Sequence, residues 1–328
     1  MKPFTDIGQF REVIRSVKSH HDYQGKDENG DAIYGHSTPY PTLRFRGTVK
    51  LHGTNSSIIL DKNGLYTFQS RERELSLTQD NARFMALMSA KPYQKLFDGI
   101  EFNEWCGIYG EWCGEGIQKS VAVSQLPKMF VIFAVRIDGI YQDMEKFKHL
   151  KIEDEGIYNI MQFPYWDIDI DFNYPELAQN KLVDITMEIE KECPVGKYFG
   201  ISGVGEGAVY EHLDGDTKYS MKVKGEKHQN SKVKTLTTIS VEEVESMRDF
   251  IEYAVTDNRM EQGISKLIEN HIPIEIKSTG EFIKWVYNDV VKEESDTIIA
   301  NKIDVKKLGS AVSAKAKPFW MNYLNTHV

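Results

Sequence analysis

The chain has 328 residues, 41% hydrophobic and 27% charged, the composition of an ordinary soluble globular protein long enough for a large domain and a smaller one. Its 40 Lys and Arg against 49 Asp and Glu give a net charge of -9, which argues against a general nucleic-acid coat and confines any polyanion site to a local patch. No segment has the length and apolarity of a membrane span, the Met-Lys-Pro-Phe-Thr-Asp start lacks a signal peptide's apolar core, and Cys106, Cys113 and Cys193 form neither a metal spacing nor an even disulfide set, so a reducing cytoplasm is the expected compartment.

Residues 5–18 read as an amphipathic helix, with Thr5 as N-cap and Phe10, Val13, Ile14 and Val17 on one face. The polar stretch 19–41, closed by Pro39 and Pro41, reads as a long loop, and the pair His20-His21 as part of that loop rather than a metal site. A strand then runs to Lys50. The small polar turn His52-Gly53-Thr54-Asn55 follows, and a second strand contains Ile58, Ile59 and Leu60. Asn63-Gly64 between apolar runs signals a hairpin whose return strand ends at Gln69-Ser70-Arg71-Glu72-Arg73. Residues 78–90 read as a helix capped by Thr78, with Phe84, Leu87 and Met88 inward and Pro92 ending it.

Beyond it, Lys119-Ser120 has the ending of a P-loop, but Cys113 and Gln118 stand where that pattern needs glycine. Met129–Arg136 is an apolar strand. Asp167-Ile-Asp-Ile-Asp171 is an acidic strand or loop rather than a calcium loop, because Phe172 and Ala178 replace the required Gly and Glu. A helix is expected over 175–192, with Leu182, Ile185 and Ile189 inward. The glycine-dense segment 200–210 is followed by turn and strand, which rules out a dinucleotide fingerprint at Gly203, Gly205 and Ala208. Strand alternation puts Lys222 and Lys224 on one face, within a lysine-dense stretch that also holds Lys218, Lys227, Lys232 and Lys234. From Ser240 the pattern turns helical. A capping box at Ser240–Glu243 precedes Val244, Met247, Ile251 and Val255, another at Ser278–Glu281 precedes Phe282, Trp285, Val286 and Val290, and 302–324 forms a last helical segment. There is no internal repeat.

Lys50 combines a strand-end amine with a glycine that permits close backbone approach and with Thr and Asn side chains that could hold a ligand. Lys50-Leu-His-Gly-Thr-Asn55 resembles motif I of the covalent nucleotidyltransferases, the ATP-dependent polynucleotide ligases and mRNA capping enzymes. His52, where aspartate is more usual, points to the branch of phage RNA ligase 2 and the RNA-editing ligases. The remaining motifs follow in family order. Arg71 matches the arginine that engages the nucleotide and the 5′-phosphate, with Arg73 as its alternative. Glu111 in Gly110-Glu-Trp112 resembles motif III, which contacts the ribose, and Gly114–Lys119 is similar to the segment after it in the phage enzymes. Phe133 matches the motif IIIa aromatic that stacks on adenine, followed here by Ala134 instead of aspartate. Glu206, with Gly207 and Val209, resembles motif IV, whose carboxylate positions a metal, and Ser220–Lys224 resembles motif V, whose lysines contact phosphate.

The resemblance covers nearly the whole chain. It implies an α+β protein: an adenylyltransferase domain over 1–238, ATP-grasp-like, of antiparallel sheets with flanking helices, and an all-helical RNA-binding domain over 239–328. It implies catalytic roles for Lys50, Arg71, Glu206, Lys222 and Lys224, and nucleotide contacts from Val49, Lys50, Leu51, His52, Asn55, Arg71, Glu111, Phe133, Glu206, Lys222 and Lys224. ATP, with AMP carried covalently on Lys50, and Mg2+ or Mn2+ at Glu206 are the implied cofactors. The implied partner is RNA with 3′-hydroxyl and 5′-phosphate ends in a nicked duplex. The protein is expected to act as a monomer, away from membranes, in the cytoplasm of a host cell if phage-encoded. The alternatives are a DNA ligase of the same chemistry, a GTP-using capping enzyme, disfavoured by the helical C-terminal region, and a non-catalytic nucleotide- or RNA-binding module.

Overall fold

The computed structural model describes residues 1–36, 38–225 and 247–327. The chain divides into two compact units, Met1–Gly225 and Glu226–Val328.

The first unit begins with an extended segment and then α1 (Phe10–Asp22), whose Phe10, Val13, Ile14 and Val17 are buried as the spacing predicts. The helix starts later than Thr5, because Gly8 pairs with the backbone of Ser220 and Lys222 and keeps residues up to Gln9 extended. Glu12 accepts the Gln9 backbone N–H at 2.7 Å and closes the N-terminus. The expected loop over 19–41 instead contains the end of α1 and an antiparallel hairpin, β1 (Tyr23–Lys26) and β2 (Ala32–Tyr34). The Asp27 carboxylate turns it by accepting the Asn29 and Asp31 N–H groups.

β3 (Thr42–Lys50) alternates cleanly, with Phe45, Gly47 and Val49 buried and Arg44, Arg46, Thr48 and Lys50 on the other face. β4 (Thr54–Asp61) and β5 (Tyr66–Ser70) form the expected hairpin around Asn63-Gly64, where Gly64 takes φ +80°. The helix expected over 78–90 shrinks to α2 (Phe84–Met88), since Ala82 and Arg83 adopt positive φ. Its cap is Asp80, whose carboxylate accepts the Met85 and Ala86 N–H groups, while Thr78 bonds Ser76 instead. β6 (Trp105–Cys113), β7 (Met129–Ile137), β8 (Ile140–Tyr141), β9 (Ile157–Asn159) and β10 (Tyr165–Asp171) follow. α3 (Gln179–Lys191) buries Leu182, Ile185 and Ile189, and α4 (Pro194–Tyr198), β11 (Gly207–Asp214) and β12 (Thr217–Lys224) complete the unit.

Besides the β1–β2 hairpin, two larger and mainly antiparallel sheets result. The four-stranded sheet has the order β10-β3-β11-β12, and the other runs β5-β4-β6-β7-β8 with β9 parallel to β7. The acidic run of β10 is explained by register: Asp167 and Asp169 lie opposite Arg46 and Arg44 and bond their guanidinium groups. Helices α1 and α3 pack against β12 and β11.

Every element described in the second unit is helical: α5 (Met247–Ala254), α6 (Asp257–Glu269), α7 (Thr279–Glu293), α8 (Ser295–Ala300) and α9 (Val305–His327), with short turns between them. α9 presents a buried stripe of Leu308, Val312, Ala316, Trp320 and Leu324, and Trp320 stacks on Phe282 of α7 at 4.7 Å. Ser278 precedes α7 but forms no cap, because its hydroxyl donates to the Pro273 carbonyl at 2.6 Å. The capping box at 240–243 and the lysines at 227, 232 and 234 lie outside the described residues. No helix among the described residues is long and apolar enough to cross a membrane.

Candidate functional site

Register makes the site. β11 lies between β3 and β12, with Gly207 opposite both Lys50 and Lys224, and Val209 opposite both Thr48 and Lys222. Residues opposite one another share a face, so Lys50, Lys222 and Lys224 project from one face of the four-stranded sheet. The strand between them contributes no side chain at position 207, where φ is +146° and an added Cβ would overlap the Val223 carbonyl.

Glu206 sits at the head of β11, with only 2% of its side chain exposed, and is the electrostatic centre of this face. One carboxylate oxygen accepts Lys50 Nζ at 2.7 Å and lies 3.2 Å from His52 Nδ1, and the other lies 3.1 Å from Lys224 Nζ. Burial alone would raise this carboxyl, but the charges of Lys50, Lys224 and His52 outweigh it and hold the group well below the usual carboxylate range. For Lys224 the balance runs the other way: burial pushes its ammonium down, Lys50 and Lys222 add to the fall, and Glu206 opposes it.

The second sheet supplies Glu111 from β6, directly opposite Asn55 of β4. Its carboxylate accepts the Gly53 backbone N–H at 3.0 Å, which fastens the turn after Lys50 to the other sheet. Gly53 packs so closely that a Cβ would overlap the Trp112 carbonyl oxygen, so the turn tolerates no larger residue there. Burial raises the Glu111 carboxyl to about 7, against the pull of Lys50 and with Glu206 adding to the rise.

Arg71 follows β5, feels the Glu111 charge and donates to Asp6 at 3.3 Å. Arg73, its alternative, is engaged elsewhere and donates to the carbonyls of Gln79 and Asp80. Phe133 is half-buried and falls at a β-bulge: Tyr109 faces Ala134 and Gly110 faces Ile132, which leaves Phe133 as the extra residue. The bulge groups Phe133 with Ala134, Tyr109 and Phe4 in one apolar cluster. Val49 and Leu51 are buried in the core, Val49 on the face opposite Lys50, so only their backbones are open to a ligand.

The structure therefore gathers Lys50, His52, Glu206, Lys222 and Lys224, with Glu111 and Asn55 facing from the second sheet. Among the described residues no group of three His, Cys, Asp or Glu could hold a metal ion. Lys50, Lys224 and His52 around a buried carboxylate held in its anionic form, with a primary amine in the first rank, make a site suited to phosphates and to nucleophilic attack on one of them. Sequence reasoning missed Phe4 and Asp6, which reach this region from the N-terminal segment. Asp6 and Arg71 are 65 residues apart, and no local pattern signals such a contact.

No curated protein matches the sequence. Among solved structures, a mutant RNA ligase of Naegleria gruberi described with AMP and Mn is similar over 68% of this chain and 56% of that one, at 18% identity and a TM-score of 0.45. Another mutant, described with ATP and Mn, is similar over 66% of this chain and 55% of that one (18% identity, TM-score 0.44), as is the Naegleria ligase described with PPi (17% identity, TM-score 0.43). The family model described as RNA ligase matches residues 44–285, from the strand that leads to Lys50, through Glu111, Phe133, Glu206, Lys222 and Lys224, into the helical unit. On that match, which takes in well over half of the sequence, the chain belongs to the RNA ligase family.

Proposed function

We propose that the protein is an ATP-dependent RNA ligase that joins 3′-hydroxyl and 5′-phosphate ends, with nicked duplex RNA as its substrate and repair as its use. The observation that carries this reading is the convergence of Lys50 from β3 and Lys224 from β12 on the buried Glu206 at the head of β11, with Lys222 on the same sheet face.

Lys50, in its amine form, attacks the α-phosphorus of ATP. A bond forms between Nζ and phosphorus, the bond to the pyrophosphate oxygen breaks, one Nζ proton passes to solvent or to the departing pyrophosphate, and AMP remains on the lysine. Lys222 and Lys224 offset the charge that builds on the phosphates and on the leaving pyrophosphate. The AMP then passes to an RNA 5′-phosphate, which Arg71 engages, and attack by the 3′-hydroxyl forms the phosphodiester and releases AMP. Glu206 aims Lys50 and is too acidic to act as a proton acceptor near neutral pH. Glu111, Asn55 and His52 are assigned to the nucleoside side and Phe133 to the base. With ATP bound, Mg2+, or Mn2+ in its place, would be held by the phosphates and by Glu206, and would supply charge neutralisation. The protein is proposed to act as a monomer in the cytoplasm, with residues 239–328 and Lys227 and Lys232 docking the RNA.

The test is intact mass after incubation with ATP and Mg2+, beside a Lys50→Ala variant. The expected result is a gain of one AMP in the parent and none in the variant. The absence of a gain in protein shown to start unadenylylated would overturn the reading in favour of a non-catalytic binding module. Joining assays with ribose or deoxyribose at the 3′-hydroxyl end then separate an RNA ligase from a DNA ligase. Charge reversal at Lys227 or Lys232 should weaken joining more than self-adenylylation, and equal losses would count against RNA docking there.

A further inference from the structure

The segment before α1 touches three of the residues just assigned. Phe4 packs edge-to-face on Phe133, with ring centroids 5.0 Å apart. Asp6 accepts from Arg71 at 3.3 Å. Gly8 accepts the backbone N–H of Lys222 at 3.0 Å. The same segment is fastened on both sides. Lys2 donates its backbone N–H to Gln69 of β5 and accepts the Tyr109 hydroxyl of β6. Thr5 donates its backbone N–H to the Tyr141 hydroxyl of β8, and Gly8 donates to the Ser220 carbonyl of β12. It is a strap that joins the edge of the four-stranded sheet to the face of the other.

Phe4 is the buried centre of that strap, 5% exposed. Its ring meets Tyr109 at 5.6 Å and Tyr141 at 5.6 Å as well as Phe133. Lys218 of β12 closes the box from the other sheet. Its ammonium lies 4.6 Å from the Phe4 centroid and 3.9 Å from that of Tyr141, paired with Glu211 at 2.8 Å. Phe133 itself sits at a bulge, where the ladder does not fix the side chain, so its orientation depends on what it packs against. Phe4 is that support.

We propose that Phe4 is a positioning residue of the base pocket: it holds the Phe133 ring in the plane on which the ATP base stacks, with Lys218 and Tyr141 fixing Phe4 in turn. This inference rests on the proposed function and adds a residue to it. Phe4 touches no reacting atom, so its effect falls on nucleotide binding rather than on the chemical step.

The experiment follows self-adenylylation of the full chain against ATP concentration for the parent, Phe4→Ala and Phe4→Leu, with inorganic tripolyphosphate as a competitor that has phosphates and no base. Phe4→Ala should raise KM for ATP about ten-fold and leave kcat within about two-fold, and Phe4→Leu, which refills most of the volume, should show a smaller rise. Tripolyphosphate should inhibit all three proteins equally, because its contacts are the lysines. A general loosening of the cleft would weaken tripolyphosphate along with ATP and would overturn the proposal. So would an unchanged KM, or a lower one, which would mean that Phe4 stands where the base belongs. If Phe4→Ala does not fold, the Phe4→Leu rise decides alone, and its absence overturns the proposal. A parent that takes up no AMP refutes the ligase reading itself, and the inference falls with it, whereas a reactive parent with an indifferent Phe4 refutes only the inference.

Discussion

Two carboxylates, Glu111 and Glu206, face Lys50 from different sheets and are driven in opposite directions. Glu206 is held charged by its cations, so its contribution to stability is present above the usual carboxyl pKa and is lost as pH falls through the lower folded value. Glu111 is pushed up to about 7, so the stability associated with its protonated form is present in mild acid and lost as pH rises from the ordinary carboxyl range through about 7. Glu111→Gln should therefore gain thermal stability relative to the parent between pH 5 and pH 8. Glu206→Gln should be destabilised by about 3 kcal/mol at pH 7, because it removes the buried negative charge beside Lys50 and Lys224, with a smaller deficit in acid. Melting both variants across that range checks the sign, and parallel curves would contradict it. Gly53→Ala carries a sharper expectation. Its methyl group would overlap the Trp112 carbonyl, so the turn must shift, and the AMP uptake proposed for Lys50 should fall at least ten-fold even where the protein remains folded.

Among the elements, the segment after β5 shows how two neighbouring arginines divide their work. Arg73 ties the loop to the Gln79 and Asp80 carbonyls, and Asp80 caps α2 through the Met85 and Ala86 N–H groups. Asp80→Ala should cost about 1–2 kcal/mol in denaturant unfolding, the usual loss for a helix cap. Arg71 makes an exposed pair with Asp6, so Arg71→Ala should change stability by less than about 1 kcal/mol while strongly reducing RNA joining. Arg73→Ala should do the reverse, losing stability with a smaller effect on joining. A shared phenotype in unfolding and joining assays would remove the distinction. The bulge of β7 belongs to the same scale, since one extra residue places Phe133 and Ala134 in a single cluster.

For the whole molecule, the helical unit depends on one buried ionic network. Arg259, fully buried, donates to Asp289 at 2.7 Å, to Glu294 at 3.1 Å and to the Ala254 carbonyl, and Tyr253 donates to the other Glu294 oxygen at 2.8 Å. Arg259→Leu would remove the guanidinium from beside the buried Glu294 and should cost about 3–5 kcal/mol in denaturant unfolding of the full chain, whereas a near-neutral result would show that the network adds little. Much of this architecture is legible in the sequence, because local rules act within a few residues. The alternation of β3 and of Lys222 with Lys224, the Asn63-Gly64 hairpin, the inward faces of α1 and α3, and the helical character of α7 and α9 all follow from backbone periodicity and turn chemistry. The motif resemblance puts the residue types of the proposed site in order along the chain. What local rules cannot supply is register between distant strands. Only the insertion of β11 between β3 and β12 brings Glu206 to Lys50 across 156 residues, and only the strap's crossing of both sheets puts Phe4 beneath Phe133 and Asp6 beside Arg71. The same holds for the late start of α1 and the shortened α2, where a sheet edge and an Asp80 cap override the local helical signal. The sequence by itself determined which residues share a face along each strand, and tertiary pairing alone decided which faces meet, because pairing is set by packing over the whole chain.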